Sequence, residues 1–145
     1  MPVSEKISSV LKSVEKPGRY AGGEYGAVLK DKEKVKARFA FCFPDTYEIG
    51  MSNLGVRILY GVLNSDPDIW CERAYAPWVD MQAKMRELSI PLWAHESGDP
   101  LTDFDIIGFT LQYEMCYTTV LSMLKLSGIP LLAAERGEDA PVLIG

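Results

Sequence analysis

Two groups of polar residues follow short apolar segments of this chain, and their types suit the binding of a ligand. The first group lies at 45–53 and consists of Asp45, Tyr47, Glu48, Gly50, Ser52 and Asn53. The second group consists of Thr110, Gln112 and Tyr113. Carboxylate, hydroxyl and amide groups can hydrogen-bond a cofactor or substrate, and glycine permits a close approach of the backbone. We therefore interpret all nine as candidate cofactor-binding residues, and none as catalytic.

Other chemistry-bearing residues form no recognisable catalytic or metal-binding pattern. The only histidine, His95, lies in a polar loop, and we expect it at the surface. The cysteines Cys42, Cys71 and Cys116 are isolated within apolar segments. This spacing predicts buried thiols in a reducing cytoplasm and encodes neither a disulfide framework nor a zinc site. The sequence has no GxSxG motif and no Cys–His pair in a credible motif, which argues against an independent hydrolase.

The two polar groups are predicted to follow buried strands. Residues 39–43 hold three Phe in five positions, and Pro44 ends the run because it has no N–H for a ladder hydrogen bond. Residues 106–111 form a second buried run. In open α/β sheets, ligands bind outside the carboxyl ends of the strands. We therefore expect the strands to lie side by side and their polar ends to share a crevice.

Apolar stripes predict helices between these strands. After a polar loop at 45–50, one stripe is expected to face the sheet, with Ser52 or Asn53 as the N-cap. That stripe consists of Leu54, Ile58, Leu59 and Val62. A second stripe follows Pro77, which can occupy the first position of the helix, and consists of Trp78, Met81, Met85 and Leu88. A third consists of Cys116, Val120, Met123 and Leu124, and its helix is expected to stop at Gly128. We interpret all three stripes as core.

The alternation of strands and helices predicts an α/β fold, a parallel sheet with helices on both faces. We expect residues 1–26 to form an amphipathic helix and a Gly-rich connector, and residues 27–145 to form the sheet domain. A short apolar strand at the end is the fourth core strand. A doubly wound domain normally needs another helix to cover such a strand, so we expect the domain to be incomplete and the chain to be the front part of a longer protein.

Composition limits the partners. The 145 residues include 15 basic and 20 acidic ones, for a net charge of −5, which argues against direct nucleic-acid binding. No apolar run approaches the ~20 residues of a membrane span, and the N-terminus lacks the apolar segment of a secretory signal. We therefore expect a cytoplasmic protein without a membrane partner.

Three segments together resemble a known family. They read AFCFPDTYEIGMSNLGVRILYGVLN, ERAYAPWVDM and LTDFDIIGFTLQYEMCYTTVL. The pattern resembles the N-terminal region of radical S-adenosylmethionine (radical SAM) proteins with a cobalamin-binding-like domain, over roughly residues 20–145. The resemblance implies a Rossmann-like fold of the flavodoxin-like, cobalamin-binding type.

The same resemblance implies a following barrel domain, which would be the partner of this chain and hold a 4Fe–4S cluster and S-adenosylmethionine on a CxxxCxxC motif. That motif is absent here, so the radical chemistry would belong to sequence beyond Gly145. The chain alone is then expected to be a cofactor-binding or substrate-organising domain without catalytic activity of its own.

The resemblance also addresses cobalamin. Domains of this type that ligate cobalt carry DxHxxG after the first strand, with the Asp orienting the metal-binding His. Residues 45–50 keep the spacing, but Tyr47 stands in place of the histidine, and a phenol is a poor ligand at neutral pH. Either cobalamin binds without a protein ligand to cobalt, or the site has lost it. Thr110 matches the small hydroxyl residue that faces the cofactor's nucleotide tail, although it could equally cap the strand end.

Two other functions remain open. A flavodoxin-like binding or signalling module is one, but a phospho-receiver needs a carboxylate at the end of the third strand, where this chain has Thr110-Leu111-Gln112. The other is a vestigial scaffold without cofactor, which would use Tyr47, Trp78 and Tyr113 to pack against the partner domain.

Overall fold

The computed structural model describes residues 3–145, and its centre is a sheet of four parallel strands. The strands are β1 (Ala37–Phe43), β2 (Ile69–Tyr75), β3 (Ile106–Phe109) and β4 (Val142–Ile144). Their order in space is β2-β1-β3-β4. The chain therefore reverses its direction of travel across the sheet between β1 and β3, as in doubly wound folds. The α/β, Rossmann-like parallel sheet predicted from the sequence is confirmed.

Helices cover both faces of this sheet. They are α1 (Val3–Val10), α2 (Tyr47–Ser52), α3 (Leu54–Ser65), α4 (Val79–Leu88) and α5 (Cys116–Ser127). Within residues 3–145, none of them is both long and apolar enough to cross a bilayer.

One face of the sheet, which we call the three-helix face, packs against α1, α4 and α5. Small residues of β1 such as Ala40 and Cys42 leave room for Met81 and Met85 of α4, which are almost completely buried. The remaining core residues from the helices are Ile7, Val10, Met123 and Leu124.

As predicted, α5 stops at Gly128, whose φ of 74° suits glycine. Trp78 and Leu88 lie outside this core and are exposed, so only half of the predicted α4 stripe is buried.

The opposite face, which we call the α3 face, carries the aromatic side chains of β1. Phe41 and Phe43 pack with Val56 and Tyr60 of α3. The predicted stripe on α3 is wrong: Leu54, Ile58, Leu59 and Val62 are 48–67% exposed. The helix instead turns Tyr60 inward, because the Tyr60 hydroxyl accepts a 2.7 Å hydrogen bond from the Val28 N–H and so has a polar partner inside the core.

The segment between β1 and α3 also differs from the prediction. Residues 47–50, expected as part of a polar loop, belong to the short helix α2. The N-cap of α3 is Asn53, whose side-chain oxygen accepts a 3.0 Å hydrogen bond from the Val56 N–H. Helix α4 begins at Val79, two residues after Pro77, which we expected to be its first residue. Strand β3 ends at Phe109, whereas the apolar run predicted from the sequence continues to residue 111.

Candidate functional site

A crevice of about 270 Å³ lies at the carboxyl ends of β1 and β2, beside the point where the strand order reverses. It is lined by Pro44, Asp45, Thr46, Ala76, Pro77, Trp78, Val79, Gln82, Tyr113 and Thr119. Its position is the one at which open α/β sheets bind ligands. Of the nine candidate residues, the structure brings Asp45 and Tyr113 together here.

Asp45 is held firmly at one wall of the crevice. Its backbone carbonyl accepts a 2.9 Å hydrogen bond from the Ala76 N–H, which ties the end of β1 to the end of β2. Its side-chain Oδ1 accepts a 2.7 Å hydrogen bond from the Thr46 N–H. Among residues 3–145, no donor reaches Oδ2. The carboxylate is therefore fixed in place and keeps lone pairs for a ligand.

Trp78 forms a second wall and was missed as a ligand-binding residue, because its spacing suggested core. Its indole is 44% exposed, whereas Trp70 and Trp93 are each 4% exposed. Arg19 lies over the indole with Cζ 5.4 Å from the ring centroid, and its Nε is 2.9 Å from both carboxylate oxygens of Glu48. The signal in the sequence was an aromatic residue directly after a strand end and a proline.

Tyr47 does not face the crevice. Its ring stacks on His95, with centroids 5.5 Å apart, and meets the edge of Tyr75 at 5.4 Å. Burial raises the pKa of the Tyr47 phenol, and the carboxylate of Glu24 adds to the shift. Gly50 packs against the same aromatic group, where a Cβ would overlap the Tyr75 ring.

The remaining candidates have structural partners or stand apart. Glu48 pairs with Arg19, while the Ser52 hydroxyl donates to the Ile49 carbonyl at 2.9 Å. Gln112 is exposed outside the crevice lining. Thr110 continues from β3, and its N–H donates to the Cys42 carbonyl at 3.3 Å. Its hydroxyl is buried without a hydrogen-bond partner among residues 3–145 and does not line the crevice.

His95 is the largest departure from the sequence-based expectation, since it is 9% exposed and not at the surface. Its backbone N–H donates to the Arg73 carbonyl at 2.7 Å, so the chain around His95 lies along the outer edge of β2. Its Nδ1 lies 3.5 Å from Glu24 Oε1, at the outer limit of a hydrogen bond. Glu96 completes the cluster through a 2.6 Å contact of Oε1 with Arg73 Nε.

Glu24 is the carboxylate at the centre of this cluster. The neighbouring imidazole of His95 is the largest cause that lowers the pKa of Glu24 to about 2, against the opposing effect of burial, and Arg73 at 3.8 Å contributes further. Glu24 thereby fastens the Gly-rich connector to β2. The role of this cluster in the fold is to attach residues 20–26, a segment without regular structure, to the sheet.

The side chains of residues 3–145 do not form a binding site for a metal ion or an iron–sulfur cluster. Within residues 3–145, no group of three His, Cys, Asp or Glu side chains is arranged so that it could hold a metal ion. The phenol of Tyr47, which stands where a cobalt-ligating histidine would, is packed against aromatic rings and keeps its proton. Burial raises the pKa of Cys71 to about 12 and raises the pKa of Cys42 as well, whereas a ligating thiol must lose its proton.

Comparison with models of protein families gives a match. The family model described as "Radical SAM proteins, N-terminal" matches residues 55–145, more than half of the chain. The matched range runs from the first turn of α3 through β4, so it includes Trp78 and Tyr113 and excludes Asp45. Neither the curated proteins nor the solved structures contain a match.

Proposed function

Since this chain belongs to the family of N-terminal domains of radical SAM proteins, we propose that it holds and orients the substrate of such a protein in the crevice beside β1 and β2. The observation that carries the proposal is the crevice itself. It lies at the ligand-binding edge of the sheet and combines a fixed carboxylate, Asp45, with two exposed aromatic side chains, Trp78 and Tyr113.

A substrate suits this site better than cobalamin. The volume of about 270 Å³ lies just below the range of clefts that hold drug-sized ligands, and cobalamin is considerably larger than such ligands. Tyr47 also lies away from the crevice, in the aromatic group with His95 and Tyr75. A small polar or aromatic molecule matches both the volume and the groups that line it.

The division of labour follows from the family. A 4Fe–4S cluster and S-adenosylmethionine, where a radical SAM protein binds them, supply the radical chemistry. The residues of this chain would supply binding and orientation: Asp45 accepts hydrogen bonds from the ligand, while Trp78 and Tyr113 exclude water from its faces. Holding a reactant in one geometry removes much of the entropic part of a reaction barrier.

The test uses a radical SAM protein that contains this domain, purified without oxygen and supplied with S-adenosylmethionine and a reductant. Addition of a low-molecular-mass cell extract should increase the consumption of S-adenosylmethionine, because bound substrate captures the radical. We expect Asp45→Asn and Tyr113→Ala to remove this stimulation and to leave the basal consumption unchanged. Tyr117→Ala is the control, since Tyr117 is exposed on α5 outside the crevice lining.

Full stimulation in both crevice variants would contradict the proposal. A second measurement addresses cobalamin directly: the chain is mixed with hydroxocobalamin and passed through a desalting column. We expect no retained colour and no spectral shift. Retention that Asp45→Asn abolishes would show that the crevice serves a cofactor and not a substrate.

A second candidate function, a scaffold that packs against the rest of a radical SAM protein, is favoured by the four exposed apolar residues of α3. It predicts that the crevice variants leave the extract-stimulated consumption of S-adenosylmethionine unchanged. It also predicts that polar substitutions at Ile58 and Val62 weaken the association of this domain with the remainder of the protein.

A further inference from the structure

We propose that the crevice binds a planar heteroaromatic ring that carries two adjacent N–H donors and no phosphate, of the kind found in guanosine. This inference rests on the proposed function and names the class of substrate for the same site. Three observations carry it: a pinned indole, a carboxylate with free lone pairs, and the charge of the crevice.

The indole of Trp78 is a platform with one occupied face. Arg19 covers it at 5.4 Å, and Arg19 is not part of the crevice lining, whereas Trp78 is. Glu48 holds the guanidinium of Arg19 against the ring. The backbone N–H of Trp78 donates to the Tyr20 hydroxyl at 3.0 Å, so both the ring and its backbone are fixed. An aromatic side chain that is rigid and open on one side favours stacking by a planar ring, a contact that every base-like heterocycle can make.

Asp45 provides the edge that a stacked ring would meet. Its Oδ1 already accepts one hydrogen bond, from the Thr46 N–H, and retains a second lone pair, while Oδ2 accepts none from residues 3–145. A carboxylate can receive two parallel N–H bonds, as it does from guanidinium groups. A ring edge with an amino group next to a ring N–H presents the same pair of donors.

Gln82 forms part of the crevice wall, and two hydrogen bonds hold its side chain there. Its amide nitrogen donates to the Pro77 carbonyl at 2.8 Å, and its amide oxygen accepts from Arg86 at 3.0 Å. Gln82 is thereby held in the wall of the crevice, and it keeps one amide N–H and one oxygen lone pair for a ligand. Asp45 is the charged side chain of the lining that can hydrogen-bond a ligand. The Tyr113 and Thr119 hydroxyls can bond the remaining atoms of the ring.

The charge of the site disfavours phosphate. The residues of the crevice lining include Asp45 and no Lys or Arg. The start of α4 borders the crevice, but Asp80 lies in its first turn and accepts from the Met81 N–H, which offsets the positive end of the helix dipole. The chain as a whole carries a net charge of −5. A neutral ring with a small neutral substituent is therefore favoured over a nucleotide.

The exposure of the three tryptophans makes the test specific. Because Trp70 and Trp93 are buried, a ligand that stacks on Trp78 should quench the tryptophan fluorescence of one residue. We expect guanosine to quench this fluorescence saturably, and inosine, which lacks the amino group, to bind about tenfold more weakly. Guanosine 5′-monophosphate should bind more weakly than guanosine. Calorimetry provides the affinity without relying on tryptophan.

Variants separate the two contacts. Asp45→Asn should remove the preference for guanosine over inosine, and Trp78→Phe should abolish the quenching while calorimetry still detects weakened binding. Tyr117→Ala should change neither measurement. The inference is overturned by the absence of saturable binding up to millimolar guanosine, by equal affinities for guanosine and inosine, or by tighter binding of the monophosphate or of a guanine-rich single strand.

The outcomes of the two proposals can be told apart. If the crevice variants abolish extract-stimulated consumption of S-adenosylmethionine but guanosine does not bind, the substrate-holding role stands and the ligand class is wrong. If guanosine binds as expected but the variants leave that consumption unchanged, the ring-binding site stands and the proposed function falls.

Discussion

The two faces of the sheet are covered in different ways. The three-helix face buries a mostly apolar layer under α1, α4 and α5, with Met81 and Met123 inaccessible to solvent. The α3 face buries aromatic rings under α3 and carries the polar group of Arg73 and Glu24 at the β2 edge, with the Arg73 guanidinium 4.4 Å from the Tyr60 ring centroid. Around Met81 and Met123 the first face is held by shape and apolar burial, and its buried ion pair, Arg38 with Glu72, lies beside Phe104. The second face depends in part on charge directly under its covering helix.

This difference explains how each face should respond to substitution. An apolar layer loses stability through cavities, and the loss does not depend on pH. A layer with buried ionisable groups loses stability when one partner is removed or neutralised. The predictions below use both responses, beginning with the largest effect.

Met81→Ala should destabilise the chain by about 3 kcal/mol, because it leaves a cavity in the completely buried layer under α4. The measurement is the free energy of unfolding in urea. Leu88→Ala on the same helix is the matched control; its side chain is 42% exposed, and we expect a loss below about 1 kcal/mol. Equal losses in the two variants would mean that α4 presents a different side to the sheet.

Glu24→Gln should destabilise the chain at neutral pH by an amount on the order of 2 kcal/mol, since it removes the carboxylate beside His95 and Arg73. The folded-state pKa of Glu24, about 2, lies below its ordinary value of 4.5. The stabilisation is therefore complete above pH 4.5 and disappears as the pH falls from 4.5 towards 2. Urea unfolding of both proteins across this range tests it.

The difference between wild type and Glu24→Gln should shrink steadily over that range. Glu33→Gln, in an exposed turn, serves as the control and should follow the wild type at every pH. A difference of constant size from pH 7 to pH 2.5 would show that Glu24 contributes by packing and not by charge.

Gly50→Ala should cost about 1–2 kcal/mol, although alanine favours helices, because the new Cβ would overlap the Tyr75 ring. Gly61→Ala is the opposite case on the same face. Nothing lies within 4 Å of a Cβ at Gly61 in α3, so we expect stabilisation of up to about 1 kcal/mol. Unfolding in urea measures both, and opposite signs are required.

The sequence was sufficient for the order of strands and helices and for most of the three-helix face. Phe39–Phe43 and Ile106–Phe109 are short apolar runs ended by polar or proline residues, and such runs have few alternatives to a buried parallel strand. The same reasoning failed for α3, which carries two apolar stripes. Periodicity cannot choose between them, and the choice depends on the Val28 N–H that bonds Tyr60 from 32 residues away.

The candidate site was predicted only in part for a similar reason. Asp45 and Tyr113 follow strand ends, which is a local signal, and both line the crevice. Tyr47 follows the same strand but turns into the aromatic group, because α2 begins at that residue. Trp78 and His95 were misjudged because their environments are made by Arg19 and Glu24, which lie between α1 and β1, where the sequence has no periodicity.

The smallest effect on stability is expected for the exposed stripe of α3. Replacing Ile58 and Val62 together by serine should change the free energy of unfolding by about 0.5 kcal/mol or less, because both side chains are more than half exposed and serine matches their helix propensities. The same double variant should bind less of an apolar fluorescent dye, since it removes half of the stripe.

Val56→Ser on the same helix is the contrasting variant. Val56 is 2% exposed, so the new hydroxyl would be buried, and we expect a loss of several kcal/mol. If the double variant at Ile58 and Val62 were as destabilised as Val56→Ser, α3 would be rotated relative to the sheet and its apolar stripe would belong to the core. If stability is unchanged and dye binding falls, the α3 face presents an apolar surface that is open to a further packing partner, in contrast to the closed layer under α4.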